Sequence, residues 1–252
     1  MLRFDKIVFG PIHSRRLGRS LGINLLPRDG KICNFDCIYC ECGWNAEGRT
    51  ATALPSCEEI SQALENKMLD MKEKGEDLDS ITFSGHGEPT LHPEFPAIIA
   101  KTVELRDLHF PGRRISVLSN ASMLDHDEIV EALKKVDCAI LKLDAPNDAQ
   151  ARYINRPNAG YSVEKVIEGM KKFDGHFILQ TMMLGSQGLD YRKDPAALQS
   201  WKDIVRELRP SEVMVYSLDR PSPQSDLEKI PACELELLMK DLKDEGINLK
   251  IY

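Results

Sequence analysis

The sequence is short of several things, and each lack excludes a class. No apolar run is long enough to span a bilayer. The opening Met1-Leu2-Arg3-Phe4-Asp5-Lys6 has none of the extended apolar stretch of a secretory signal. A cytoplasmic protein is expected. Basic residues are outnumbered, 33 Lys and Arg against 40 Asp and Glu, for a net charge of -7. That balance argues against a surface generally basic enough for nucleic acid, though not against a local basic patch. Seven cysteines are an odd number in a chain without a secretory signal, which favours metal ligation and free thiols over a disulfide framework. There is no low-complexity tract, no Walker phosphate loop and no Ser-His-Asp set.

What is present is organised around Cys33-Asn34-Phe35-Asp36-Cys37-Ile38-Tyr39-Cys40. The spacing C-x3-C-x2-C lets one loop turn three thiolates toward one point. Thiolates select iron–sulfur clusters, zinc or cuprous copper. A closed site needs a fourth ligand, so three suggest a four-iron cluster with one iron open. The rival is a structural zinc site completed by Cys42, whose closeness to Cys40 makes it an awkward tetrahedral partner.

The rest of the chain alternates short apolar runs with helical periodicity. Strands are expected within 18–26 and over 80–84, 114–118, 138–143, 176–184 and 212–218. Helices are expected over 56–75, 94–108, 125–136, 162–173, 195–208 and 232–245, with a last extended segment at 247–252. Ser56 with Glu59 forms a capping box at the first helix. Six strands alternating with six helices imply a parallel sheet with helices outside, and too few units to close an eight-fold barrel. The expectation is an α/β fold, a partial (β/α)6 TIM-like barrel in a single domain, with residues 1–20 as an N-terminal extension and 21–252 as the barrel.

The polar motifs all fall after strands, where sites in such folds lie. Gly85-His86-Gly87-Glu88-Pro89 follows the second strand, and its glycines allow close backbone approach to a ligand. Ser119-Asn120 ends the third. In the fourth, alternation puts Lys142 and Asp144 on the face opposite Leu141 and Leu143, pointing into the barrel. The bland reading is a mutual ion pair; the sharper one is a cofactor or substrate contact. His86 reads equally as a substrate-side group or a solvated loop residue. The arginines at 15, 16, 152, 156 and 220 are candidate cations for an anionic substrate, although each taken singly reads best as a surface charge. Met182 and Met183 read as core, and Cys57, Cys138 and Cys233 as inert.

The cysteine spacing with Tyr39 before the last cysteine resembles the signature of the radical S-adenosylmethionine (SAM) superfamily. Gly85-His86-Gly87-Glu88-Pro89 resembles that family's Gly-Gly-Glu-Pro motif, with His86 replacing one glycine. The resemblance implies a radical SAM type of barrel. It implies that Cys33, Cys37 and Cys40 hold a 4Fe–4S cluster whose open iron is chelated by SAM, and that Gly85, Gly87 and Glu88 meet the methionyl amino group. Ser119, Asn120, Tyr39, Lys142 and Asp144 are the further SAM candidates. It also implies a flavodoxin or ferredoxin electron donor and a 5′-deoxyadenosyl radical that abstracts hydrogen from a small molecule, peptide or RNA. The segment Val8-Phe9-Gly10-Pro11 with Ser14-Arg15-Arg16-Leu17-Gly18 resembles a subgroup of Fe–S oxidoreductases distantly similar to wyosine-type tRNA-modifying enzymes. Glycyl-radical activation is another chemistry of enzymes of this size. The alternative from a different class is an iron–sulfur or zinc module without radical chemistry.

Overall fold

The computed structural model describes residues 5–46 and 53–252. The chain opens with a hairpin, β1 (Val8–Ser14) antiparallel to β2 (Gly18–Ile23). The cysteine loop follows, then α1 (Cys57–Glu73), β3 (Ser80–Phe83), a 3-10 turn at Pro89–Leu91, α2 (Phe95–His109) and β4 (Arg114–Ser119). Next come α3 (Asp127–Leu133), β5 (Cys138–Lys142), α4 (Asp148–Ile154), α5 (Val163–Lys171), β6 (Ile178–Met182) and β7 (Leu184–Gly185). The chain continues with α6 (Pro195–Leu208), β8 (Glu212–Tyr216), β9 (Glu228–Lys229), α7 (Ala232–Leu238), α8 (Lys240–Asp244) and β10 (Leu249–Ile251).

One sheet has the order β1-β2-β3-β4-β5-β6-β8-β10, parallel from β2 onward. It ends on β1 and β10, which do not pair with each other among the described residues. This is the expected open, partial barrel. The segment 247–252 contributes β10, in register with β8 through Lys250 and Met214. β7 and β9 form a separate two-stranded ribbon.

Alternation along each strand divides the layers. Ile81, Val117, Leu141, Leu179 and Val213 are fully buried beneath the helices, among them α1 with Ile60, Leu64 and Met68 and α6 with Trp201 and Val205. Such burial is the main driving force for the fold. The opposite residues face the barrel interior. Its lower part holds a chain of hydroxyls, Ser20 to Thr82 at 2.6 Å, Ser80 to Thr82 at 3.1 Å and Ser80 to Ser116 at 3.0 Å. Beside it lies a small apolar cluster of Leu17, Leu118, Cys138, Ile140 and Ile178. Leu17 comes from the turn between β1 and β2, so that turn is tucked into the barrel floor.

Three expectations change. The N-terminal extension is part of the sheet: β1 is its edge, and the division at residue 20 falls inside β2. The strand is interrupted by a bulge between Phe9 and Ile12, where Gly10 and Pro11 break the alternation that would have announced it. The segment expected as loop around Arg152 begins as α4, capped by the Asn147 side chain accepting from the Gln150 amide at 3.0 Å. Two turns between Pro146 and Pro157 are too short for periodicity to stand out. The last helix breaks at Met239 into α7 and α8. The capping box at α1 is formed as expected, Ser56 Oγ accepting from Glu59 N and Glu59 Oε2 from Ser56 N at 2.7 Å.

Candidate active site

A cavity opens at the carboxyl ends of the strands. Cys33, Cys37, Tyr39 and Cys40 line it together with Gly85, Gly87, Glu88, Ser119, Asn120 and Lys142. Of the eleven residues singled out from sequence, Asp144 alone is absent from its wall. A larger groove of about 760 Å³ runs between α1 and the Leu26–Arg28 turn and contains none of them.

The cysteine loop is held from three sides. On one, Asn24 fixes its root: the side-chain oxygen accepts from the Leu26 amide at 3.3 Å and the His86 amide at 3.0 Å, and Nδ2 donates to Leu26 O at 2.9 Å. On the second, the end of α4 receives its backbone, with Asp36 N donating to Asn155 O at 2.9 Å and Ile38 N to Ile154 O at 3.0 Å. On the third, Gln224 N donates to Ile38 O at 3.2 Å, and Arg220 pairs with Glu41 at 2.6 Å. Within the loop, Asn45 Oδ1 accepts from Cys33 N, and Nδ2 donates to Cys33 O and Phe35 O, both at 3.0 Å.

Donors surround the thiols. Phe35 N and Asn120 Nδ2 reach Cys33 Sγ at 3.4 and 3.7 Å, and Asn155 Nδ2 reaches Cys37 Sγ at 3.4 Å. Lys31 is buried, with Nζ 3.1 Å from Asp36 Oδ1 and 3.2 Å from Gly43 O. Burial works to lower its pKa, but Cys40, Cys33, Cys37 and Asp36 outweigh it and the net shift is upward. Burial pushes Cys37 up to about 11 and raises Cys33 further. Cys40 is held low by a hydrogen bond from Cys42. Neutral buried thiols beside an ammonium are poised to become thiolates once a metal takes the proton's place. Among the described residues no three His, Cys, Asp or Glu side chains converge as ligands of a single ion would. Cys33, Cys37 and Cys40 stand around one shared space. Such a set of thiols would suit a cluster held by three thiolates. Cys42, hydrogen-bonded to Cys40, also contacts Gly85 O at 3.4 Å.

The glycine turn packs against the run into this loop. Ile32 N donates to His86 O at 2.8 Å, and Glu88 N to Ile32 O at 3.1 Å. A Cβ on Gly87, whose φ is 132°, would lie 1.7 Å from Ile32 O. The close approach that demands glycine there is made by the protein's own backbone. His86 is buried, with Nδ1 3.0 Å from Pro27 O. It is therefore neither a solvated residue nor part of the cavity wall: its ring supports the turn from behind.

Glu88 is buried, and burial raises its pKa. Its Oε1 accepts from Thr90 N at 3.1 Å, Thr90 Oγ1 at 2.6 Å and Ser119 Oγ at 2.9 Å; Oε2 accepts from Asn120 N at 2.6 Å. Glu88, Ser119 and Asn120 thus form one wall across the ends of β3 and β4, and Oε2 retains acceptor capacity.

On the other side, Lys142 Nζ lies 2.9 Å from the Tyr39 hydroxyl and 3.0 Å from the Tyr216 hydroxyl, close to both ring faces. Asp144 lies beneath, 1% exposed. It accepts from Tyr39 OH, from Asn155 Nδ2 at 2.6 Å and from Met182 N at 2.8 Å, and it faces Lys142 at 3.6 Å. Asp144 as a direct cofactor contact is corrected: Tyr39 and Asn155 cover it, and it compensates Lys142. Burial tends to lower the Lys142 pKa, yet Asp144 and its other neighbours drive it well upward, so Lys142 stays charged.

Sequence reasoning missed Lys31, Asn155, Gln180, Met182 and Tyr216. All of these but Asn155 line the cavity, and Met182 belongs to its wall as well as to the core. The alternation that marked Lys142 also selects Gln180, its cross-strand partner in β6. Of the arginines, Arg15 pairs with Asp219 at 2.8 Å on the surface, Arg152 with Asp148 at 3.6 Å, and Arg156 stacks over Trp44. Arg16 alone reaches the cavity.

An α/β barrel with its cysteine loop after the first parallel strand and a Gly-x-Gly-Glu-Pro turn after the second defines a class. Residues 29–198, more than half of the chain, match the family described as the radical SAM superfamily, and the chain belongs to it. That family is one of enzymes that use a 4Fe–4S cluster and SAM. More particularly, the chain is 32% identical over 91% of its length to a UPF0026 protein of Methanocaldococcus jannaschii. Among solved structures, it resembles a radical SAM methyltransferase from Sphaerobacter thermophilus (TM-score 0.69, 18% identity, 92% of this chain). It also resembles SuiB of Streptococcus suis bound to S-adenosylmethionine (TM-score 0.62, 17% identity, 89% of this chain). These likenesses are of fold. The chain spans 68%, 65% and 49% of the three proteins' own lengths. No helix among the described residues is long and apolar enough to cross a membrane.

Proposed function

We propose that this chain is a radical SAM enzyme in which Cys33, Cys37 and Cys40 carry a 4Fe–4S cluster and SAM lies along the β3–β4 wall. The observation that supports it best is the shared cavity: three free thiols face the same space as Gly85, Gly87, Glu88, Ser119 and Asn120. When bound, the cluster supplies the electron that splits SAM into methionine and a 5′-deoxyadenosyl radical able to take hydrogen from a substrate.

The chain's own part is to bind, orient and shield. Lys31 and the amides aimed at Cys33 and Cys37 favour the thiolate form and offset the negative charge of a thiolate-bound cluster. Glu88 Oε2 is an acceptor suited to the amino group of SAM, while Ser119 and Asn120 hold Glu88 in place. Lys142, fixed between two phenols, offers a cation for a carboxylate or ribose oxygen. The substrate is a small molecule, peptide or RNA, and a flavodoxin or ferredoxin is the donor that the family implies.

Anaerobic reconstitution tests this reading. The expected result is about four irons per chain, and release of 5′-deoxyadenosine and methionine on reduction with dithionite. A C37A variant that cleaves SAM as well as the parent overturns it. So does protein that takes up zinc alone and binds no SAM, which would favour a metal module without radical chemistry.

A further inference from the structure

Among the described residues, two buried side-chain nitrogens have no hydrogen-bond partner: Arg16 Nη1 and Gln180 Nε2. Both residues line the cavity. Arg16 reaches it because the β1–β2 turn enters the barrel floor behind Leu17, and its guanidinium lies over the Tyr216 ring at 4.9 Å. Gln180 is 4% exposed and stands beside Lys142 in the β5–β6 register. Tyr216 adds a third donor. Its hydroxyl accepts from Lys142 at 3.0 Å, and no acceptor for its own proton is found among the described residues.

Charge separates these groups from their neighbours. Lys142 already faces the carboxylate of Asp144. Glu212, further down β8, pairs with Lys250 through Oε2, while its Oε1 is buried without a partner. Arg16 enters none of the ion pairs among the described residues; its side chain is half-buried, and its Nη1 is buried without an acceptor. A buried donor without an acceptor is costly. Guanidinium, amide and phenol together suit an oxygen-rich anion. The wall proposed for SAM runs across β3 and β4, with Lys142 of β5 at its edge; these three donors stand beyond it, at β6, β8 and the barrel floor.

We infer that this end of the cavity is a substrate subsite for an oxyanion, a carboxylate or phosphate group held by Arg16, Gln180 and Tyr216. It rests on reading the cavity as a radical SAM site, and it narrows the substrate to one carrying such a group close to the reacting position.

The test uses cluster-reconstituted, SAM-loaded protein titrated calorimetrically with succinate, with inorganic phosphate and with uncharged succinamide. Binding of one oxyanion but not of succinamide is expected, and which one binds separates carboxylate from phosphate. R16M and Q180L should each raise its Kd at least tenfold; if R16M fails to fold, Q180L decides. Absence of binding by either oxyanion overturns the subsite. So does binding that neither variant weakens, or a loss of SAM affinity in the variants with oxyanion binding unchanged, which would give these donors to SAM. Release of 5′-deoxyadenosine from the parent protein is measured in parallel. Release without oxyanion binding sinks the subsite and leaves the radical SAM reading intact, whereas no release sinks that reading itself.

Discussion

The carbonyl oxygen of Ile32 stands 1.7 Å from the point where a Cβ on Gly87 would lie, so the approach to the first cysteine and the glycine turn fit together only as backbone against bare backbone. G87A must push the two apart. The expected cost is roughly 1–3 kcal/mol of stability, with a fall in iron retained after reconstitution. Urea unfolding and iron content check both; a variant that keeps parental stability and iron contradicts the packing described.

Asp144 and Lys142 are a buried pair, and removing the carboxylate leaves the ammonium uncompensated. D144N is expected to lose roughly 3–5 kcal/mol. The double variant K142M/D144N should recover much of that loss, because no charge is then left buried. If the double variant is no more stable than D144N, the two residues are not coupled in this way.

The Asn155 amide aims at the Cys37 sulfur from 3.4 Å. Hydrogen bonds to cluster sulfurs favour the more negative, reduced state and raise the potential. N155L should therefore shift the midpoint potential downward, on the order of 50 mV for one hydrogen bond and one electron. A redox titration followed by electron paramagnetic resonance reads the shift; no change, or an upward one, removes this role.

Away from the site, Asp190 is buried and receives Arg192 through its amide at 3.0 Å, Nε at 2.9 Å and Nη2 at 2.8 Å. Burial alone would raise its pKa, but the bonds from Arg192 outweigh it and the carboxyl ends below its ordinary value. A depressed folded-state pKa contributes stability above the unfolded value of about 3.9 and loses it as pH falls through the folded value. D190N should be less stable than the parent by roughly 1–3 kcal/mol at neutral pH. The gap should close in acid below about pH 4. Unfolding midpoints from pH 7 to pH 3 check it, and a gap that widens in acid refutes it.

Much of the fold was legible because the sheet is parallel and buried. Its strands read as short apolar runs, its helices as periodic ones, and Ser56 with Glu59 announced the first helix. β1 was hidden by its bulge and α4 by its two-turn length. The candidate site was legible where chemistry and strand ends coincide, at the cysteines, Glu88, Ser119-Asn120 and Lys142. Residues that act through distant partners were harder to see. Asn155 acquires meaning only when it meets Cys37, 118 residues away, and Tyr216 when it meets Lys142, 74 residues away, whereas Lys31 acts on partners in its own loop. Gln180 is different: the alternation of β6 marked it as interior.

The third clasp on the cysteine loop has a consequence for synthesis. Cys33 leaves the ribosome early, but Ile154 and Gln224, which hold the backbone around it, follow much later. At ordinary elongation rates the interval between Cys33 and Gln224 is roughly 10–40 s. Throughout it the nascent chain carries three unsecured thiols, open to oxidation or to whatever metal is at hand. Correct loading therefore favours a reducing environment during translation and delivery of iron and sulfide only after the barrel's far end has folded back over the loop.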